Sequence, residues 1–278
     1  RRSHRPGCSH TPPGIVNGHR AKRSLGQNFL TDPNIQRKIV AAVDAGSGDE
    51  VVEIGPGRGA LTEHLVGSVR RLVLVELDDD LAARLSDEYR GREDVEVIHG
   101  DVLNVNLAQH LDDPEDVHVV GNIPYNITTP ILFRLLQRPR PREIVLMVQE
   151  EGADRIVAVP GTSAYGALAV GVQSVAWAER LFRVGRQAFR PAPRVDSAVI
   201  RVQPIRPEPL SVQEEARLRT LVRAAFQWRR KQLGKILRDH PDLRVSREVA
   251  REAASDCAVG LETRPERLSP DTFVRLAG

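Results

Sequence analysis

Gly121-Asn122-Ile123-Pro124-Tyr125-Asn126 is the segment whose residue types and order best suit chemistry. The Asn122 side-chain carbonyl and the Ile123 backbone carbonyl are two acceptors close together, and Tyr125 adds an aromatic face beside them. Such a set fits an exocyclic amine on a planar ring. That amine is a poor nucleophile, because its lone pair is delocalised into the ring. Two acceptors taking its N–H bonds draw the nitrogen toward tetrahedral geometry, while the aromatic face holds the extruded base. Pro124 stiffens the turn. No strong general base is required, since the product cation can lose its proton to solvent. A bare Asn-x-Pro-Tyr is also an ordinary turn, so its meaning depends on its place in the chain.

A second constellation lies upstream. Val51-Val52-Glu53-Ile54-Gly55-Pro56-Gly57-Arg58-Gly59 reads as the end of a strand opening into a helix, with glycines that let the backbone approach a ligand. The spacing is Gly-x-Gly-x-Gly rather than the Gly-x-Gly-x-x-Gly of a dinucleotide fingerprint, which speaks against a nicotinamide dehydrogenase. Glu76 ends the next predicted strand, where an acid accepts both hydroxyls of an adenosine ribose; that role serves NAD and S-adenosylmethionine alike. Asp101 follows the third predicted strand and is placed to accept an adenine amine. Either acid alone also reads as strand-end solvation. With the glycine turn, they point to a nucleoside-type cofactor. No metal site is expected.

The elements that must position these residues follow from short apolar runs separated by helical stretches. The runs are Glu50–Ile54, Leu72–Glu76, Val95–Ile98, Val117–Val120 and Ile144–Val148. Their alternation predicts βαβ units, a mostly parallel sheet and helices on both faces, an α/β class. In such sheets ligands bind at strand C-termini, where Gly55, Glu76, Asp101 and Asn122 all fall. Asp32-Pro33 predicts a helix start, with Ile35, Ile39, Val40 and Val43 at helical spacing. Ala167–Val175 and Ser197–Val202 are expected to add strands at the far edge. Residues 1–22 read as a disordered basic arm, and 204–209 (Pro-Ile-Arg-Pro-Glu-Pro) as a linker. Beyond it Leu218, Leu221, Val222, Ala225, Phe226, Leu233, Ile236 and Leu237 fit one face of a long helix. Shorter helices are expected around Arg247–Ala258 and Pro270–Ala277, the latter capped by Ser269. The expected division is therefore 1–22, 23–205 and 206–278.

Net charge is only +3, but it is unevenly spread. Residues 1–23 hold Arg1, Arg2, Arg5, Arg20, Lys22 and Arg23 with no acid, and Arg180–Arg238 holds fifteen Arg/Lys against four Asp/Glu. That asymmetry suggests a polyanionic partner; an Arg-rich solvated surface is the plainer alternative. Two cysteines, Cys8 and Cys257, are too few for a disulfide framework and suit a reducing cytoplasm. No stretch approaches the ~20 apolar residues of a membrane span, and no partner membrane is expected.

Ser24-Leu25-Gly26-Gln27-Asn28-Phe29-Leu30, the Gly55 turn, Glu76-Leu77-Asp78, Gly100-Asp101 and Asn122–Ile127 occur in the order found in the ribosomal RNA adenine N6,N6-dimethyltransferases. Phe189–Ala198 (Phe-Arg-Pro-Ala-Pro-Arg-Val-Asp-Ser-Ala) and Ala225-Phe226 with Arg229-Arg230-Lys231 extend the match, so the chain resembles that family over roughly residues 23–277. The resemblance is closest to the branch acting on two adjacent adenines near the 3′ end of small-subunit (16S) RNA. It implies a Rossmann-like class I S-adenosylmethionine methyltransferase fold with a small all-helical C-terminal domain. It implies S-adenosyl-L-methionine as cofactor, held by Asn28, Leu30, Gly55, Gly57, Glu76, Asp101 and Asn122. Catalysis would fall to Asn122, Ile123, Pro124 and Tyr125, with Phe189 stacking on the base opposite Tyr125; by itself Phe189 reads as packing in a Pro-rich loop. Arg190, Arg194, Arg223, Arg229, Arg230 and Lys231 become candidate RNA contacts. A cytoplasmic monomer working on small-subunit ribosomal RNA, or on the immature small ribosomal subunit, is expected.

Some positions depart from the family pattern. Glu150 and Ser163 stand where Lys is common, Ala167 where Arg is common, and Gly152 where an aliphatic residue is usual. These changes spare the chemistry and bear on contacts with the RNA backbone. Competing readings are a large-subunit RNA adenine methyltransferase conferring antibiotic resistance, a non-catalytic ribosome assembly factor and a DNA adenine methyltransferase. Thr129-Pro130 and the Phe189–Ala198 loop favour the small-subunit enzyme over the first. Intact Asn122, Tyr125, Glu76 and Gly55 disfavour the second, and the want of an obvious target-recognition domain disfavours the third.

Overall fold

The computed structural model describes residues 27–278. The expected basic arm at 1–22, Cys8 and Ser24-Leu25-Gly26 lie outside the described residues. The strands are β1 (Phe29–Leu30), β2 (Glu50–Ile54), β3 (Arg71–Glu76), β4 (Val95–His99), β5 (Val117–Asn122), β6 (Glu143–Gln149), β7 (Ala176–Val184), β8 (Phe189–Arg190) and β9 (Ser197–Pro204). Seven of them form one sheet in the order β4-β3-β2-β5-β6-β9-β7. The first five run parallel, and β9 is antiparallel to both β6 and β7. The chain moves outward from β2 to β4, then returns to β5 beside β2. That reversal opens a crevice at the strand C-termini, the switch point of a Rossmann-like α/β sheet.

Helices α1 (Pro33–Ala42), α2 (Thr62–Leu65) and α3 (Asp79–Glu88) are interleaved with the first strands; α4 (Thr128–Leu135), α5 (Glu150–Ile156) and α6 (Ala167–Gln173) follow. Strand alternation sorts the core. Val52, Ile54, Val73 and Val75 join a cluster with Leu132, Ile156 and Leu168, whereas Val51, Leu72 and Leu74 join another with Ile39, Leu65 and Leu85. All five residues of β2 are buried, as a central parallel strand requires. Asp32 caps α1 as expected: its Oδ1 accepts the Asn34 and Ile35 N–H groups at 2.9 and 3.3 Å.

The far edge differs from expectation. Ala167–Gln173 is helix α6, and the edge strand is the segment after it, β7. The run is largely apolar because α6 is covered on two sides, with Leu168 and Val172 in the first cluster and Ala169 and Val170 in a third. A continuous apolar run does not distinguish strand from helix. β7 carries no clean strand alternation in the sequence, because a register shift between Arg180 and Phe182 breaks it.

The C-terminal region is helical: α7 (Val212–Gln227), α8 (Leu233–Asp239), α9 (Arg247–Asp256) and α10 (Pro270–Ala277). The single long helix expected across 218–237 is two, broken at Trp228–Gln232. The cause is tertiary. The Leu233 and Gly234 N–H groups donate to the Thr263 and Leu261 carbonyls, both at 2.8 Å, so a distant segment replaces the helical ladder there. Ser269 caps α10, its Oγ accepting the Thr272 N–H at 3.1 Å. The helical lobe does not close on itself alone. Tyr165 is buried in its core, donates to the Leu268 carbonyl at 2.7 Å and meets Phe226 edge-on. Buried Arg140 further ties the lobes, reaching Glu208 at 2.8 Å and Glu215 of α7 at 2.7 Å.

Candidate active site

One pocket gathers the ends of β2, β3 and β5, the residues just after β4, and the β1 segment laid across them. Gly55, Gly57 and Gly59 follow β2 with φ of +64°, +61° and +85°, so the turn winds through the left-handed region at each glycine. At Gly57 a Cβ would also stand 3.3 Å from the Phe29 ring of β1. Gly121, one residue before Asn122, is required by proximity: a Cβ there would lie 2.7 Å from the Ile54 carbonyl. Close approach of β5 to β2 thus brings the Asn122 motif against the glycine turn.

Glu76 ends β3 with its carboxylate buried. One oxygen accepts the Gly57 N–H and the other the Asp78 N–H, each at 2.9 Å. Burial pushes its carboxyl above the usual range, against these backbone donors that favour the anion. A carboxylate has about four acceptor sites, more than its backbone donors occupy, so capacity remains for a ligand's hydroxyls. Asp78 is fixed in turn as the cap of α3, accepting the Asp80 and Leu81 N–H groups at 3.1 and 3.3 Å. Asp101 is half-buried in the wall. Its Oδ1 accepts the Leu103 N–H at 2.9 Å and its Oδ2 the Asn104 amide at 3.3 Å.

Asn122 is oriented by β1: its Nδ2 donates to the Asn28 carbonyl at 3.1 Å, which leaves Oδ1 as the accepting end. Tyr125 follows in a short 3-10 turn, Tyr125–Ile127, with its hydroxyl 2.6 Å from Ser197 Oγ. Burial pushes its phenol above the ordinary value, so the hydroxyl keeps its proton at neutral pH. Asn28, Leu30, Gly55, Gly57, Glu76, Asp101, Asn122, Ile123, Pro124 and Tyr125 all line this pocket.

Phe189 does not join them and is corrected. It is fully buried, lies opposite Leu30 in the β1–β8 pair and packs in the cluster of Ile39, Val184 and Val199. Its ring has no open face for a base, and the packing reading prevails. The candidate RNA contacts are not equivalent either. Arg190 is exposed but bonds the Phe189 and Gln187 carbonyls at 2.9 and 3.2 Å, and Arg223 pairs with Asp242 at 3.1 Å. Arg194, Arg230 and Lys231 are exposed, and Arg229 is half-buried. Glu150 is matched by Arg180 at 2.7 Å and Arg183 at 3.5 Å, so the acid at this unusual position is answered from β7.

Leu77 and Glu53 are among the pocket residues that the sequence reading does not assign to the site. Leu77 is 44% exposed although apolar, placed beside Glu76 on the ligand's side. Glu53 lies inside strand β2, buried, with its carboxylate accepting the Thr62 hydroxyl at 2.7 Å. Its position in an otherwise apolar strand was the available signal. Burial, and the Glu76 charge nearby, push its carboxyl up to about 8. In the sign of linkage, the unfolded chain loses this proton first. Stability is therefore expected to fall as pH rises from about 5 to 8. Glu53→Gln keeps the acceptor for Thr62 and removes the charge. Thermal unfolding of the ligand-free variant should lose that downward slope and exceed the parent above pH 8. Parallel curves for the two proteins would contradict a buried, elevated Glu53.

A family model described as "Ribosomal RNA adenine dimethylase" matches residues 18–276. A curated relative from Levilactobacillus brevis, named ribosomal RNA small subunit methyltransferase A, is 41% identical over 273 residues, covering 94% of this chain and 91% of its own. A protein of the same name from Pseudomonas aeruginosa is 40% identical over 93% of this chain and 94% of its own. Among solved structures, a dimethyladenosine transferase from Plasmodium falciparum superposes with a TM-score of 0.74 at 26% identity, over 89% of this chain and 95% of its own. The 23S rRNA methyltransferase ErmE gives 0.68 at 28% identity, over 90% and 98%. Similarity therefore runs through the switch-point pocket and the helical lobe together, and the chain belongs to the ribosomal RNA adenine dimethylase family.

Proposed function

We propose that this chain transfers methyl groups from S-adenosylmethionine to the N6 amines of two adjacent adenines near the 3′ end of small-subunit (16S) ribosomal RNA. The products are N6,N6-dimethyladenosines, formed during small-subunit biogenesis. The observation that carries the chemistry is the Asn122 amide, turned by the Asn28 carbonyl so that its oxygen is the accepting end. The curated relatives, near 40% identity over more than nine-tenths of the chain, support the RNA substrate.

The residues fit the cofactor. Glu76 retains acceptor capacity for a pair of ribose hydroxyls, and Leu77 with Val102 gives an adenine apolar edges beside Asp101. The glycine turn leaves backbone rather than side chain at the ligand's approach. Buried Glu53 suits a cationic ligand, since a cation nearby favours its anion. When bound, S-adenosylmethionine supplies an electrophilic methyl group on a sulfonium.

Asn122 Oδ1 and the Ile123 carbonyl accept the two N–H bonds of the adenine amine, localising its lone pair on nitrogen. Tyr125 offers its ring face to the base, and Pro124 keeps that face next to the two acceptors. The amine gives up one proton to solvent for each methyl it gains. The second transfer needs one acceptor only, because the monomethylated amine has one N–H left.

Labelled methyl transfer to immature small-subunit particles and, separately, to large-subunit RNA, each followed by primer extension, tests this reading. Stops at two adjacent small-subunit adenines are expected. A stop only on large-subunit RNA would move the substrate, and particle binding without incorporation would favour an assembly factor.

A further inference from the structure

The Tyr125 ring is tethered at its far end, and the tether crosses the sheet. Tyr125 lies just past the end of β5, whereas its hydroxyl partner Ser197 opens β9, with β6 between them. Ser197 is fully buried and held from both sides, opposite Gln149 of β6 and Val184 of β7. The residue before it is equally fixed. The Asp196 carbonyl accepts the Glu150 N–H at 3.1 Å, and its carboxylate accepts the Arg186 N–H at 2.9 Å and pairs with Arg183. Ser197 Oγ is therefore a stationary point, while Tyr125 occupies a single 3-10 turn in the wall of the pocket.

A ring attached only through Cβ can tilt about χ1 and χ2. A hydrogen bond at the para hydroxyl pins the far end of the ring and so restrains its swing about χ1; rotation about χ2 leaves that oxygen in place. It sets where the ring stands, and with it where the base must lie for its amine to reach Asn122 Oδ1 and the Ile123 carbonyl together. Small misplacement of a reacting group is costly in rate even where binding is little changed.

We propose that Ser197 is a positioning residue for methyl transfer, acting through the Tyr125 hydroxyl to fix the position of the ring that carries the target base. The proposal rests on the stacking role given to Tyr125. Tyr125→Phe and Ser197→Ala each break the tether and keep the ring. Each should slow single-turnover transfer to immature small-subunit particles by about 3- to 10-fold, the range of one lost hydrogen bond. Cofactor and particle dissociation constants should hold. The double variant should be no slower than either single, because one interaction has been removed twice.

Losses that multiply in the double variant would overturn the proposal, as would a Tyr125→Phe protein as fast as the parent. The Phe variant keeps the question answerable if Ser197→Ala folds poorly, since Tyr125 lies outside the β9 ladders. Tyr125→Ala separates the two layers. If it too transfers at the parental rate, the stacking role itself fails; if it is slow while Tyr125→Phe is not, only the Ser197 tether fails.

Discussion

Asn122→Ala should lower methyl transfer by about 10²- to 10³-fold, the scale of removing one preorganised electrostatic partner from a transition state. The amine gains positive character as it attacks, so an acceptor on its N–H is worth more at the transition state than before it. The Ile123 carbonyl remains in the variant and sets the residual rate. Cofactor affinity is not wholly insulated, because the same amide donates to the Asn28 carbonyl and so helps hold β1 across the pocket. Loss of one neutral hydrogen bond limits that effect to about tenfold or less. Asn122→Asp is the sharper companion: it keeps acceptor oxygens but replaces the donor to Asn28 with a repelling charge. Single-turnover rates with cofactor titrations on both variants check this. An active Asn122→Ala enzyme would mean that the amine is not activated as described.

Glu76→Ala should weaken S-adenosylmethionine binding by about 100-fold or more, as two hydrogen bonds to a charged group are lost. The same change frees the Gly57 and Asp78 N–H groups that Glu76 now accepts, loosening the glycine turn and the entry to α3. The effect therefore has a direct and an organising part. Glu76→Gln distinguishes them, since it retains an acceptor of the same shape while turning a donor toward one of those N–H groups. Calorimetry should rank parent, Gln and Ala in falling affinity, with transfer recovering at saturating cofactor. Equal affinity across the three would remove Glu76 from the ribose site.

The pocket was legible because its residues terminate consecutive strands of a parallel sheet. Gly55, Glu76, Asp101 and Asn122 needed only the strand pattern to be placed on one edge, and the five parallel strands obeyed that pattern. What was not legible depended on contacts distant in sequence. α6 looked like a strand because the helical lobe covers its second side, and the α7–α8 break follows from bonds to Leu261 and Thr263. Phe189 shows the limit of a motif carried over by resemblance. Pairing of β8 with β1 turns its ring into the core, while Phe29 of β1 lines the pocket instead. Glu53 was hidden differently: an acid inside an apolar strand is visible in the sequence, but its side faces the pocket only once Thr62 of α2 is placed.

Mass-spectrometric mapping of methylated adenines in ribosomal RNA, from cells with and without this chain, tests the central claim most directly. Two adjacent N6,N6-dimethyladenosines near the 3′ end of small-subunit RNA should vanish without it. They should return with the parent chain and stay absent with Asn122→Ala. Unchanged dimethylation in the deleted cells, or restoration by Asn122→Ala, would contradict it.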